Sequence, residues 1–424
     1  MVAVFLGSLF GTLALGVPIA FALILCGVAI MFTLNMMDAQ IVAQNLINGA
    51  NNFSLMAIPF FVLAGELMNA GGISKRIVEF AMSLVGHIRG GLGYVAIIAS
   101  ILFAGLSGSA VADTAALGAI SIPMMIARGY DVNRSTGLIC ASGIIAPVIP
   151  PSIPMIIFGV TAGVSITQLF MGGIVPGIMM GGGLIIAWTF IARKDKSELP
   201  KRQTTKEILK STIKAIWALF LPVIIIGGLR GGIFTPTEAA VVAAFYALFV
   251  GFFIYRELEL KDLHNVLVAA AKTTAVVMFV AAAAMVSAWM ITVADVPGQM
   301  AAALGGLIES PLMLLLLINL ILLAIGLVMD LTPAILIFTP VFLPLVKMAG
   351  IDPVYFGIIM VINLCIGLIT PPVGTVLYVG CGISKINIIE LTKGIWPFVL
   401  VHIIVLILLI LFPSIIMVPL DFLT

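Results

Sequence analysis

Long apolar stretches separated by short polar connections run the length of the chain, and their lengths predict two kinds of helical element. Segments near 3–34, 53–70, 136–160, 175–192, 215–229, 236–254, 273–293, 354–379 and 395–417 each read as one membrane crossing, which takes about 20 helical residues. Segments 91–127 and 311–346 are too long for one crossing and are interrupted midway by small or polar residues. They predict re-entrant hairpins, whose irregular tips are tolerated at membrane depth only where protein, water or an ion satisfies the backbone.

The charged connections orient these elements. Lys and Arg gather in 75–89, 128–134, 193–214 and 256–272, whereas 38–52, 161–168 and 294–299 contain neither. Basic loops stay on the cytoplasmic side, so the amino terminus is expected inside and the carboxyl terminus outside. The first hairpin then leads into an inside loop (128–134) and the second into an outside one (347–352). Arg230 and Lys347 fall outside and count against the scheme. The basic stretch 193–214 is expected to be an amphipathic helix on the cytoplasmic surface or a solvated linker.

A repeat underlies this opposition. Pro150-Pro151 and Pro371-Pro372 are 221 positions apart, and the same offset pairs Gly105 with Gly326, Pro123 with Pro344, Gly129 with Gly350, Gly159 with Gly380, Gly173 with Gly394 and Pro176 with Pro397. Composition alone gives roughly 0.7 Gly and 0.2 Pro coincidences at any one offset; the duplication is real. The fold expected is an all-α polytopic membrane protein built as an inverted repeat, with two re-entrant hairpins and two broken helices.

Composition narrows the solvent and the chemistry. Hydrophobic residues make up 62% of the 424 and charged residues 9%, with a mean hydropathy of +1.29, so the surrounding medium is a lipid bilayer. A net charge of +2 with no basic domain excludes nucleic acid as a partner. Cys26, Cys140, Cys365 and Cys381 stand singly, and His87, His264 and His402 have no ligand-spaced partners, which argues against disulfides and transition metals. No phosphate loop follows Gly181-Gly182-Gly183, and no nucleophile-and-base set points to an enzyme.

The chemistry that remains sits at the breaks and tips. Pro150 and Pro371 remove backbone donors, which frees carbonyls near Ala146, Ile149, Gly367 and Thr370. Such oxygens suit a hard monovalent cation. The first tip carries Ser107, Ser109, Asp113 and Thr114; the second carries Asp330, Thr332 and Pro333. Asp113 reads either as a helix N-cap or as a pocket residue and Asp330 as a pocket residue, while Glu66, near a span end, is left undecided. Glu238, in Thr235-Pro236-Thr237-Glu238, reads as part of a helix start.

Together AGLSGSAVADTAALG, IIAPVIPPS, GGLRGGIFTPTEAA and GLITPPVG resemble the large membrane subunit of tripartite ATP-independent periplasmic (TRAP) transporters, and the resemblance covers nearly the whole chain. It implies an elevator-type carrier in the bacterial inner (cytoplasmic) membrane, driven by Na+, working with a small four-span membrane subunit and a periplasmic substrate-binding protein. On that footing segments 1–90, 175–310 and 395–424 are scaffold, and 91–174 and 311–394 are the two halves of a transport domain. Sodium is assigned to Gly105, Ser107, Ser109, Gly143, Ala146 and Ile149 at one site, and to Gly326, Gly367, Thr370 and Val373 at the other. Ser107, Ser152 and Asp330 are assigned to the substrate, an organic acid, with sialic acid or another sugar acid ahead of a C4-dicarboxylate. No buried Arg or Lys is expected beside the anion, so bound sodium and helix N-termini must supply the positive charge. The alternatives are a stand-alone ion-coupled carboxylate carrier, a passive channel, and an enzyme using Asp113 and Asp330 as paired acids.

Overall fold

The computed structural model describes residues 1–193 and 202–424, and its regular elements are helical. The first group is α1 (Val2–Ala14), α2 (Ile19–Thr33), α3 (Ala39–Ala50), α4 (Ala57–Ala70) and α5 (Ile73–Val85). A hairpin of α6 (Gly91–Ser107) and α7 (Ala110–Ala127) follows, then a broken helix of α8 (Val132–Gly143) and α9 (Ile153–Ala162). The middle of the chain is α10 (Ile166–Ala192), α11 (Thr205–Arg230), α12 (Pro236–Phe249), α13 (Leu260–Val293) and α14 (Val296–Leu304). The second hairpin is α15 (Pro311–Gly326) and α16 (Leu331–Met348), and the second broken helix is α17 (Pro353–Gly367) and α18 (Thr375–Ser384). The chain closes with α19 (Ile388–Leu411) and α20 (Ser414–Leu423).

Both hairpins and both breaks therefore stand where the apolar pattern puts them. At the first tip Gly108 takes φ +63°, a conformation glycine adopts without Cβ strain. Each break contains its proline pair, in both cases with a cis peptide bond. Thr235 and Glu238 form a capping box at the start of α12, Thr235 N donating to Glu238 Oε2 over 2.8 Å, which fits the structural role read for Glu238.

Contacts between distant segments sort the helix ends into two groups. At one end Arg76 pairs with Glu257 at 2.8 Å, Tyr255 donates to Lys214 O at 2.9 Å, Trp188 donates to Gly90 O at 2.8 Å, and Gly394 packs on the Asn133 backbone. At the other, Arg230 donates to Phe422 O at 3.4 Å, Thr237 to Phe53 O at 3.4 Å and Tyr355 to Leu409 O at 2.9 Å. The first group holds the basic connections and the loop after α7; the second holds the loop after α16. The two repeats are oppositely oriented, as the charges require.

Three expectations need correction. The segment near 3–34 is not one crossing. Gly16 at φ +79° and Pro18 break it, leaving helices of 13 and 15 residues, about 20 and 22 Å long at the helical rise. The pair folds back on itself, with Cys26 Sγ donating to Phe5 O at 3.7 Å. The amino terminus consequently lies at the non-basic end, where the Met1 ammonium donates to Gln299 at 3.1 Å. Second, α13 begins at Leu260 rather than near 273, so much of the basic connection 256–272 is helix. Third, Arg193–Lys214 is not a separate amphipathic helix in its later part: Thr204 and Glu207 cap α11, which runs on unbroken to Arg230. Residues 194–201 of that stretch lie outside the described residues.

Single cysteines placed at Gly129 and Gly350 are expected to react with an impermeant reagent from opposite faces, and a tag on Met1 is expected on the same face as Gly350. Labelling of positions 129 and 350 from one face contradicts the inversion.

Candidate functional site

The first tip lies against the first break. A Cβ on Gly105 would stand 3.7 Å from Pro150 O, and one on Gly143 would stand 3.3 Å from Ala110 O and collide with the Thr114 hydroxyl. Gly108 sits against Pro151 O. Ser107 Oγ donates to Asp113 Oδ1 and accepts from Ser109 N at 3.2 Å. Ser109 is the N-cap of α7, accepting from Ala112 N at 3.4 Å. Asp113 is therefore not a cap: it lies one turn inside α7, fully buried, and its Oδ2 has no hydrogen-bond partner among the described residues. The buried Thr114 hydroxyl is equally unpartnered.

The second tip meets the second break backbone to backbone. A Cβ on Gly367 would lie 2.7 Å from Gly326 Cα, C and O, so the two chains touch at paired glycines. Val373 N donates to Leu327 O at 3.3 Å. Asp330 stands at the N-cap position of α16 without capping it; its Oδ1 accepts instead from Thr375 Oγ1, on α18, at 3.3 Å.

Carbonyls are freed at both breaks, though fewer than expected. Gly143 O still accepts from Ala146 N at 3.2 Å, and Gly367 O from Thr370 N at 3.1 Å, both as turn bonds. The carbonyls of Ala146, Ile149 and Thr370 accept no hydrogen bond among the described residues. The Thr370 hydroxyl is turned away, donating to Ile366 O at 2.7 Å.

A pair of clasps escaped sequence reasoning. Ser100 donates to Ser142 at 3.0 Å between α6 and α8. At the corresponding place Asn363 donates to Asn319 Oδ1 at 2.7 Å between α17 and α15. Ser142 and Asn363 are 221 positions apart, so a search for polar residues at the repeat offset, rather than for identical ones, finds this half of each clasp, while their partners Ser100 and Asn319 are not offset-related.

Both tips open onto a crevice of about 590 Å³. Ser107, Ser109 and Asp330 line it, together with Thr332, Glu66 and Asn69 of α4, and Lys272 and Thr273 of α13. The α4 lining runs from Phe61 to Asn69 and the α13 lining from Lys272 to Val277. On α13 these residues lie from mid-length toward the basic end. One assignment changes. Ser152 does not line the crevice: its buried hydroxyl donates to Pro147 O and accepts from Met155 N at 3.2 Å, capping α9. An exposed cation, Lys272, also lines the crevice, so the expectation of no buried Arg or Lys is not contradicted by it.

Oppositely oriented hairpins, each meeting a broken helix beside a polar-lined crevice, define a secondary-transporter fold. MtrF of Neisseria gonorrhoeae, described as an antimetabolite efflux pump, has the same general fold, with a TM-score of 0.64 at 14% identity over 88% of this chain and 82% of its own. The description "Tripartite ATP-independent periplasmic transporter, DctM component" matches residues 6–415, and the chain belongs to that family. It is 57% identical to the 2,3-diketo-L-gulonate TRAP transporter large permease protein YiaN of Escherichia coli over 99% of both chains. It is 41% identical to the sialic acid TRAP transporter large permease protein SiaM of Vibrio cholerae over 96% of both.

The glycine contact sets a stability test. Gly367→Ala is expected to destabilise the protein by about 1–3 kcal/mol, the usual cost of overpacking, because its methyl meets backbone rather than a movable side chain. Gly182→Ala, which meets nothing within 4 Å, is expected to melt as wild type or slightly above it. Equal midpoints for the two variants in detergent would mean that the tip and break are not in contact.

Proposed function

We propose that this chain carries a sugar-acid anion into the cell, coupled to sodium entry, by movement of the hairpins and broken helices (91–174 and 311–394) against the remaining helices. The observation that carries the reading is the placement of two tips at two breaks beside one crevice, with unpartnered oxygens where a cation is expected. In the first repeat Asp113 Oδ2 and Thr114 Oγ1 are buried without a hydrogen-bond partner among the described residues, Thr114 against Gly143, and a buried carboxylate is costly unless a cation or donor compensates it. Sodium, as co-transported substrate, fits these oxygens together with the Ala146 and Ile149 carbonyls. In the second repeat the fit rests on the Thr370 carbonyl and the end of α15 at Gly326.

The crevice side of the tips takes the organic substrate. Ser107 and Ser109 offer hydroxyls, and Asp330 offers an acceptor for substrate hydroxyls. Ser107 joins the two functions, since it lines the crevice while its hydroxyl is bonded to Asp113. A cation on Asp113 therefore orders the serine that meets the substrate, which links the two bindings. The relatives named for 2,3-diketo-L-gulonate and for sialic acid both concern sugar acids, and the higher identity favours the former. The word tripartite in the family description supports two further components, a small membrane subunit and a periplasmic binding protein, in a bacterial inner membrane.

Proteoliposomes containing both membrane subunits and the binding protein are expected to accumulate 2,3-diketo-L-gulonate only under an inward sodium gradient. Asp113→Asn is expected to cut sodium-driven uptake by tenfold or more and to raise the sodium concentration for half-maximal rate. Asp330→Asn is expected to impair uptake without moving that sodium dependence. Uptake that persists undiminished after sodium removal overturns the coupling.

A further inference from the structure

Among the described residues, Lys272 is the one cationic side chain lining the crevice, where Glu66 and Asp330 are the other charged groups. Nothing local explains its charge. Its helical neighbours three and four positions away are Val268, Ala269, Ala275 and Val276, so no carboxylate is placed for an ion pair along α13. The ion pairs among the described residues are Arg76–Glu257 and Lys261–Glu259, and neither involves Lys272. It also lies in the N-terminal half of α13, where the helix dipole gives a cation no stabilisation. The side chain is exposed to the crevice space rather than packed.

We infer that Lys272 receives the carboxylate of the transported acid, while the tip residues Ser107, Ser109 and Asp330 hold its hydroxyl or keto end. The assignment rests on the proposed reading of the crevice as the site of an organic anion. It draws the site from two kinds of element: the tips belong to the paired hairpins, and Lys272 belongs to α13, which packs on α2, α3 and α4 and also on α16 of the second hairpin. An acid bound to both bridges the hairpin tips and α13. Charge and hydroxyl recognition are then read from opposite walls, which selects a polyhydroxy acid over a neutral sugar and over a short acid lacking hydroxyls.

The test is initial uptake of 2,3-diketo-L-gulonate, N-acetylneuraminate and succinate by wild type, Lys272→Gln and Lys272→Arg in proteoliposomes with the partner subunits and a fixed sodium gradient. Loss of one charge-assisted contact corresponds to a tenfold or greater rise in the half-saturating concentration. That rise is expected for Lys272→Gln with whichever acid is carried, at unchanged sodium dependence and melting temperature, and Lys272→Arg is expected within about threefold of wild type on the same grounds. If wild type carries an acid and Lys272→Gln carries it with the same half-saturation, the assignment of Lys272 fails while the transport reading stands. If wild type carries none of the three, the anion reading fails first and takes this assignment with it. A Lys272→Gln protein that is slower only in maximal rate, or that melts early, makes Lys272 a structural residue and also overturns the assignment.

Discussion

The constraint on which this structure depends is that a peptide group inside lipid has no water to bond to. A helix satisfies its own backbone; a broken helix does not, and every freed carbonyl must find a partner or cost several kcal/mol. Two breaks at mid-membrane therefore demand two things to fill them, and the hairpins are what the chain supplies. Their tips reach the breaks closely enough that glycine is needed on both sides, at Gly143 against Thr114 and at Gly326 against Gly367. The clasps Ser100–Ser142 and Asn319–Asn363 fasten each hairpin to its own broken helix near the contact. In the proposed mechanism this is what lets a hairpin and a break travel together, because separating them would expose the freed backbone.

Much of this architecture is legible in the residues, and for a physical reason. Proline pairs, glycine positions and the absence of Lys and Arg from particular loops act through the backbone and the membrane, so they leave marks at fixed places in the chain. The hairpin limits 91–127 and 311–346 agree with α6–α7 and α15–α16 to within two residues. Where the reading failed, tertiary contacts decided. The stretch 3–34 is uniformly apolar, and only Gly16 and Pro18 hint that it turns back. Which end Met1 reaches depends on that one turn.

Side-chain direction was less legible. Ser152 follows a proline pair and looks like a pocket hydroxyl, yet a serine before a helix has a competing use as its cap, and here capping wins. Lys272 sat in what reads as a cytoplasmic connection, because basic residues near a span end are the ordinary sign of one. The start of α13 at Leu260 carries the lysine about 18 Å along the helix, far enough to meet the crevice. Charge counting along the chain locates loops; it does not report how far a helix extends beyond its apolar part.

The two halves are copies in backbone but not in chemistry, and the difference falls where function is proposed. The repeat offset relates Asp330 to Ser109 and Asp113 to Ala334, so the two tip carboxylates do not correspond. Ser109 and Asp330 occupy equivalent N-cap positions and both line the crevice, but Ser109 accepts from the Ala112 amide and caps its helix, whereas Asp330 accepts from Thr375 instead. The first half thus keeps its carboxylate buried beside the break, and the second presents its carboxylate to the open space. A perfectly symmetric protein would place both acids in the same kind of environment and have no means of separating a cation from an organic anion. Here the buried Asp113 is suited to a small desolvated ion, while Asp330, half-shared with a threonine, is suited to exchangeable hydroxyls. In the proposed reading, divergence at the tips, where Ser107, Ser109, Asp113 and Thr114 correspond to Val328, Asp330, Ala334 and Ile335 of the other repeat, gives the two tips two tasks, with Ser107 bonded to Asp113 and lining the same crevice as Asp330.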